Sequence, residues 1–558
     1  MVRVGSRSRR FRLAAVSVSA FFGVAPSALA QDAGAGRGVV LSVTQGPRGG
    51  DWKRAFNPFR DDTDTRWPAT AGVYEPLLVY SRATRSYVPW LATEHQWGTG
   101  NLSLRFTLRP GVAWSDGQPF SGKDVAFTFD LMRRFPALDR AGVWSYLADV
   151  KSDAASVEFT FKRAYTPGLL AIGTQPIVSE HKWKDVSQPA SFDDPSPVGT
   201  GPFTEVRNFT PDVYEVGRNP KYWQKDKPYV SALRVPVYHT NDEIMRALAK
   251  GEVDWASLFV DDVETAWVGK DPTRRQYWYP DFGQTVLLHV NTRKKPFDDA
   301  AVRKALSMAV DRPRIMREAM KGYAPPADAT GLPESQKQWK DPVSKSGDWT
   351  RFDAAQANSL LDAAGLARGD GGVRSVPGGG PMRYELDVVE GWSDWGVAAS
   401  IIRENLAAVG IDVSVKALPY NAWIGALERG RFDLGLWFGE RGPTPYEFYK
   451  SQMDAALVKP IGDKAVANFH RFESEGATRA LRRFEASSDA AEQQRLGREL
   501  ARIYVETAPS LPLFASPLWG VFNTGRISGF PSRFSPYAGS SPGAHSDNLQ
   551  VLVGVKPR

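Results

Sequence analysis

The chain has 558 residues, a formal net charge of +8, 18 tryptophans and no cysteine. The absence of cysteine excludes disulfides, thiol catalysis and a lipid attached to an N-terminal cysteine. The six histidines lie far apart, without the spacing of a metal site, and no Lys/Arg cluster persists beyond the first residues, so we expect no metal, no other cofactor and no nucleic-acid partner.

The first thirty residues have the composition of a secretory signal peptide. Five arginines without any acidic residue precede an apolar run from Leu13 to Val24, and Ala28-Leu29-Ala30 supplies a cleavage site. The run is shorter than the roughly 18 residues that span a membrane. We therefore expect cleavage after Ala30, by the general or the twin-arginine route, and a periplasmic mature chain without a lipid anchor. Removal of the five arginines leaves it a net charge of about +3.

Residues 117–123, Gly-Gln-Pro-Phe-Ser-Gly-Lys, carry the glycines and the lysine of a P-loop nucleotide site. Pro119 removes a backbone N–H that such a loop needs, and Asp124 stands where a Ser or Thr would bind magnesium. The stretch instead predicts a tight turn followed by a helix, with Ser121 as its N-cap and Asp124 three residues later.

The other predicted elements alternate between strands and helices. Alternating apolar residues predict the first strands, and helical spacing dominates the second half. Strands are predicted over 39–43, 102–108, 157–161, 204–209, 213–219, 383–389, 411–415 and 432–438. Helices are predicted over 298–310, 351–366, 393–410 and 421–430, the first capped by Asp298 and the third by Ser393. This alternation predicts an α/β fold with βαβ units, and the length predicts two or three domains.

Several runs, in the same order, resemble extracytoplasmic solute-binding protein family 5, the peptide, dipeptide and nickel class that serves ABC importers. The runs are GVYEPLLVY (72–80), LRPGVAWSDGQPFSGKDVAFTFDLM (108–132), PVGTGPFTEV with RNPKYW (197–206 and 218–223), and VNTRKKPFDDAAVRKALSMAVDR (290–312). The runs are spread between residues 72 and 312. The P-loop-like residues therefore belong to a turn-and-helix segment of this family.

The resemblance implies an α/β, two-lobed periplasmic binding protein of the class II type, with an inserted subdomain and a ligand cleft between the lobes. Its expected partners are a small ligand and the ABC permease in the inner membrane, and the protein is expected to be a monomer without catalysis. The expected bounds are 31–72, 200–290 and 506–558 for the first lobe, 73–199 for the inserted subdomain, and 291–505 for the second lobe.

The resemblance also implies a substrate-binding acid. Peptide-binding members carry a W-x-x-D run whose acid pairs with the amino terminus of the peptide, and the matching run here is Trp437 to Glu440. Glu440 is one methylene longer than Asp, but a charge-assisted bond to an ammonium remains open to it. The alternative is a solvated loop acid paired with Arg441.

Trp392, Asp394 and Trp395 form a second candidate group, at the start of a helix that follows a strand. Ligands commonly bind at the carboxyl ends of strands in α/β domains, and Trp faces stack on peptide side chains and on sugar rings. Family members associated with β-linked oligosaccharides carry a similar G-W-x-D-W run, so the resemblance implies these ligands as the alternative to oligopeptides or dipeptides. A core role for both tryptophans is also open, and it is favoured for Trp423. As a third hypothesis, Asp394 and Glu440 would be the two carboxyls of a secreted hydrolase.

Overall fold

The described residues form two large sheets, a four-stranded sheet and two two-stranded sheets. A computed structural model describes residues 38–47, 51–60, 69–280, 284–340, 348–369, 371–440, 442–543 and 545–558. The predicted signal peptide and cleavage site lie outside these residues. The strands are β1 Val40–Thr44, β2 Leu78–Ser81, β3 Ser86–Pro89, β4 Ala92–Trp97, β5 Ser103–Leu108, β6 Leu147–Ser152, β7 Ser156–Phe161, β8 Phe203–Phe209, β9 Val213–Arg218, β10 Ala232–Pro236, β11 Trp255–Ser257, β12 Arg275–Trp278, β13 Thr285–Val290, β14 Arg383–Val389, β15 Asp412–Leu418, β16 Leu434–Phe438, β17 Leu511–Ala515, β18 Gly520–Asn523, β19 Ile527–Ser528 and β20 Lys556–Pro557.

Most of the α-helices in the described residues come after β13 in the chain. They are α1 Gly122–Arg134, α2 Gly168–Gly173, α3 Glu180–Trp183, α4 Asn241–Lys250, α5 Val263–Ala266, α6 Ala300–Ala309, α7 Arg312–Glu318, α8 Ala354–Ala363, α9 Ser393–Ala408, α10 Tyr420–Glu428, α11 Tyr446–Met453, α12 Glu475–Ala486, α13 Ala490–Thr507 and α14 Asn548–Gly554.

The first lobe is built on a seven-stranded sheet of order β12-β18-β11-β1-β10-β9-β8. Its strands come from the start, the centre and the end of the described chain, as the resemblance implies for a discontinuous lobe. Between β1 and β8 the chain forms the inserted subdomain, whose antiparallel sheet has the order β4-β5-β7-β6.

The second lobe is built on a five-stranded sheet of order β15-β14-β16-β13-β17. β14 runs parallel to both β15 and β16, and α9 and α10 connect these three strands. The predicted βαβ arrangement and the two-lobed α/β fold are therefore confirmed.

Strand membership differs from the expected lobe bounds at two places. β13 and β17 pair with each other in the second sheet, although residues 285–290 and 511–515 were assigned to the first lobe. Both strands are continuously buried, and such apolar runs do not reveal which sheet they join. The chain thus crosses between the two sheets after Trp278 and returns before Gly520.

Local signals predicted α1 correctly and misplaced two other helix starts. Ser121 Oγ accepts the backbone N–H of Lys123, and Asp124 Oδ2 accepts that of Ser121 at 2.9 Å, which forms a capping box in place of a phosphate site. The N-cap of α6 is Asp299, not Asp298, since the Asp299 carboxylate accepts the N–H of Ala301. The N-cap of α9 is Trp392, not Ser393, and its side chain makes no capping bond.

Candidate functional site

A cavity of about 320 Å³ lies between the two lobes. Pro47, Ser257 and Trp519 contribute to it from the first lobe, and Trp392 and Phe438 from the second. Trp519 lies on the return crossing between the sheets. A ligand in this cavity would therefore contact both lobes at once.

The wall from the second lobe is aromatic. Gly391, with a φ of 85°, turns the chain at the carboxyl end of β14, and Trp392 and Trp395 follow at the start of α9. Their ring centroids lie 4.8 Å apart with the rings nearly perpendicular, and Phe438 of β16 lies 5.0 Å from Trp395. Trp392 is half-buried and Trp395 is only 2% exposed, so Trp392 offers more ring surface to a ligand.

Asp394 joins these aromatic residues in lining the cavity. Its side chain is buried at the start of α9, where the backbone N–H groups of Asp394 and Trp395 donate to the carboxylate. Burial raises the pKa of the Asp394 carboxyl to about 6, because desolvation outweighs the two N–H groups that lower it. The second candidate group from the sequence, Trp392, Asp394 and Trp395, thus lines one cavity.

The facing wall comes from residues that the sequence did not indicate. Trp519 packs edge-on against Phe259 and Tyr279, at centroid distances of 5.2 Å and 4.7 Å, and Trp519 and Phe259 line the cavity. These residues come from segments more than 200 positions apart, and each alone has the pattern of an ordinary core aromatic. One local signal indicates this wall. Trp519 lies in the run that follows the carboxyl end of β17, and ligands commonly bind at the carboxyl ends of strands in α/β domains.

Trp437 and Glu440 lie apart from that cavity. Trp437 packs against the fully buried Trp423, at a centroid distance of 5.0 Å, and against Phe469. The burial of Trp423 confirms its expected core role. The exposed Glu440 lines a neighbouring cavity of about 40 Å³, and Gln284 lines both cavities. Arg441, its alternative partner, lies outside the described residues.

Two arginines of the inserted subdomain share the smaller cavity with Glu440. Arg82 is buried, and its Nε lies 2.8 Å from Oδ2 of the buried Asp547. Arg85 is exposed in the turn between β2 and β3. The two cavities therefore differ in charge, because the described lining of the larger one contains Asp394 and His545 as its ionisable side chains and no Lys or Arg.

Neither a metal centre nor a membrane helix is found among the described residues. Within these residues, no group of three or more His, Cys, Asp or Glu side chains has the geometry to hold a metal ion. No helix in the same part of the chain combines the length and the apolar character that crossing a membrane requires.

Comparison with known proteins identifies the family. Residues 86–456 match the family described as bacterial extracellular solute-binding proteins, family 5. The chain belongs to this family. A di/tripeptide-binding protein of Pseudomonas aeruginosa is 26% identical over 514 residues, which cover 86% of this chain and 90% of the relative.

Solved structures with the same fold bind different ligands. A periplasmic oligopeptide-binding protein of Thermotoga maritima, solved with mannohexaose, has a TM-score of 0.85 at 23% identity and covers 94% of this chain and 99% of its own. The binding protein DppA of Helicobacter pylori, solved with the peptide STSA, has a TM-score of 0.77 at 20% identity and covers 93% of this chain and 98% of its own. At these identities the likeness shows the family 5 fold.

Proposed function

We propose that this family 5 protein is the periplasmic substrate-binding component of an ABC importer, which captures oligopeptides or dipeptides by lobe closure and delivers them to a membrane permease. The cavity of about 320 Å³ lined by both lobes is the observation that carries this proposal. A ligand that contacts both lobes stabilises the closed arrangement over the open one. The di/tripeptide-binding protein of P. aeruginosa supports the peptide class.

A β-linked oligosaccharide is the second candidate ligand. The described side chains that line the cavity include three tryptophans, Trp392, Trp395 and Trp519, together with neutral polar groups such as Gln45 and Asn241. Tryptophan faces and neutral hydrogen-bonding groups suit sugar rings as well as peptides. The structure of the T. maritima relative was solved with a hexasaccharide, which supports this alternative.

Binding without catalysis is part of the same proposal. A glycosidase requires two carboxyls that flank one scissile bond, about 5–10 Å apart. Asp394 and Glu440 line two different cavities, which does not favour such a pair. Membership of a solute-binding family supports the same conclusion.

The proposal also includes export of the protein to the periplasm. We expect cleavage after Ala30, a monomeric mature protein free in the periplasm, and docking of both closed lobes on the permease. Absence of cysteine leaves no residue for N-terminal lipid attachment. N-terminal sequencing of the protein from a periplasmic fraction is the direct measurement, and an uncut, membrane-bound or cytoplasmic protein would contradict this location.

The ligand that co-purifies with the protein tests the function. The protein is purified from the periplasm without added ligand, denatured, and the released small molecules are identified by mass spectrometry. Peptides are the expected result, and oligosaccharides would establish the second candidate. Incubation with labelled peptides and oligosaccharides is expected to give no shorter product, and product formation would contradict the binding role.

A further inference from the structure

The inserted subdomain is fixed to the first lobe by buried contacts. Nε of Arg82 lies 2.8 Å from Oδ2 of Asp547, and the two side chains are 5% and 0% exposed. The carboxylate of Glu75 is fully buried and accepts the indole N–H of Trp223, which follows β9, at 3.0 Å. Separation of the Arg82–Asp547 pair would leave buried charges without partners, which is strongly unfavourable. The inserted subdomain therefore moves with the first lobe.

Its contact with the second lobe is smaller and partly hydrated. Arg163, in the segment after β7, donates to the Glu485 carboxylate of α12, and the backbone N–H of Thr166 donates to the Glu485 carbonyl oxygen at 2.9 Å. Between them, the hydroxyl of Tyr165 lies 3.1 Å from that of Tyr446 in α11. The Arg163 side chain is 41% exposed, and water weakens an ion pair of this kind. This contact is therefore weak enough to separate when the lobes open.

Glu485 keeps cationic partners on its own lobe when Arg163 leaves. Nη1 of Arg482, one turn earlier in α12, lies 2.9 Å from both carboxylate oxygens of Glu485. Nζ of Lys450 in α11 lies 3.9 Å from one of them. The main penalty of breaking a buried ion pair is the unpaired charge that remains, and here no unpaired charge remains. The contact can thus form and break reversibly.

We propose that residues 163–166 form a latch that holds the second lobe against the inserted subdomain while the lobes are closed and releases it when they open. The inference rests on the proposed function and adds to it a device that regulates closure. Among the described residues that line the larger cavity, none belongs to the latch. A contact that raises the population of the closed state tightens the apparent affinity for ligand without touching the ligand.

Distances across the latch test this proposal in the full mature chain, without any ligand. The chain contains no cysteine, so Lys151→Cys in the inserted subdomain and Glu475→Cys in α12 can carry spin labels, and these side chains are 82% and 94% exposed. Double electron–electron resonance measures the ratio of long to short distances. Arg163→Glu should raise this ratio at least about tenfold, because it replaces an attraction to Glu485 by a repulsion. An unchanged ratio would overturn the latch.

Two controls make the result specific. Arg105→Glu is the matched variant, because Arg105 is 52% exposed and pairs at 3.6 Å with Glu158 inside the inserted subdomain. It should leave the ratio unchanged, and an increase equal to that of Arg163→Glu would contradict the latch. Labels at Lys151→Cys and Lys250→Cys, in the inserted subdomain and the first lobe, should keep their distances in every variant. Movement of this pair would show that the subdomain leaves the first lobe, which also overturns the proposal.

Failure of the latch would leave the proposed function intact. The distances are measured without ligand, whereas the binding role is tested separately by the molecules that co-purify with the protein. Constant distances between the second label pair also show that Arg163→Glu is folded, so a change in the first pair reports the opening of the latch.

Discussion

At the residue scale, two buried histidines make stability depend on pH. Nδ1 of His289 lies 3.1 Å from Nδ1 of His470, and Nε2 of His470 lies 2.9 Å from the carbonyl oxygen of Gln452. Burial lowers the pKa of His289 to about 3 and that of His470 well below its ordinary value. Both rings are therefore neutral in the folded protein at pH 6, where the unfolded chain already binds protons.

This pair predicts a loss of stability as the pH falls. The pKa of a histidine side chain is about 6.5 in the unfolded chain and lower in the folded protein. Its full contribution to the free energy of unfolding is therefore present above pH 6.5. As the pH falls from 6.5 towards the pKa of the folded state, that contribution decreases by about 1.4 kcal/mol per pH unit. The free energy of unfolding of the wild type and of His289→Asn is measured in urea. The difference between the two proteins should decrease by about 1.4 kcal/mol from pH 7.5 to pH 5.5. It should stay constant from pH 7.5 to 8.5, and constancy over both intervals would contradict the prediction.

The neighbouring tryptophans Trp392 and Trp395 predict different effects of the same substitution. Trp395 is 2% exposed and packs on Trp423 and Phe438, so Trp395→Ala should lower the free energy of unfolding by about 3–5 kcal/mol. Trp392 is half-buried on the cavity, so Trp392→Ala should cost less stability and chiefly weaken ligand binding. Urea unfolding and titration calorimetry measure the two effects, and equal loss of stability would assign Trp392 to the core.

At the element scale, the second lobe contacts the inserted subdomain through Glu485 near the end of α12. The fully buried carboxylate of Glu485 accepts bonds from Arg482 at 2.9 Å, from the hydroxyl of Tyr446 in α11 and from Arg163 of the inserted subdomain. The backbone N–H of Thr166 also donates to the carbonyl of Glu485 at 2.9 Å. One residue therefore joins two helices and the inserted subdomain.

Removal of this carboxylate should destabilise the protein measurably. We expect Glu485→Gln to lower the free energy of unfolding by about 2 kcal/mol, less than the 3–5 kcal/mol for a fully buried pair, because Arg163 and Arg482 are each 41% exposed. Glu475→Gln in the same helix is the control, since Glu475 is 94% exposed and should change stability by less than about 0.5 kcal/mol. Similar losses in both variants would contradict a special role for Glu485.

The elements show which features sequence patterns could predict. β14 and α1 were predicted closely, because alternation and the Ser121 cap are local signals. The cap of α6 was misplaced by one residue, since Asp298 and Asp299 satisfy the same local pattern. The pairing of β13 with β17 and the position of Trp519 opposite Trp392 depend on contacts between distant segments, which no local pattern contains. For the same reason the sequence could not show that Asp394 and Glu440 line different cavities.

At the scale of the whole molecule, the two crossings between the sheets set the expected motion. The chain passes from the first large sheet to the second after Trp278 and returns between Ala515 and Gly520, and Gln284 and Trp519, next to these crossings, line the larger cavity. Segments that absorb a rotation between lobes are of this kind, and a ligand that contacts both lobes favours the closed state by its difference in affinity for the two states.

Spin labels on the two lobes would measure this closure. The chain contains no cysteine, so Lys250→Cys in the first lobe and Ser414→Cys in the second give a labelled pair without background. Saturating ligand should shift the distances of this pair, measured by double electron–electron resonance, to shorter values, because closure brings the sheets together. The pair Asn208→Cys and Lys250→Cys lies within the first lobe and should keep its distances. A ligand at 100 times its Kd should also stabilise the protein by about 2.7 kcal/mol; this stabilisation without any change in the first pair would show binding to lobes that do not close.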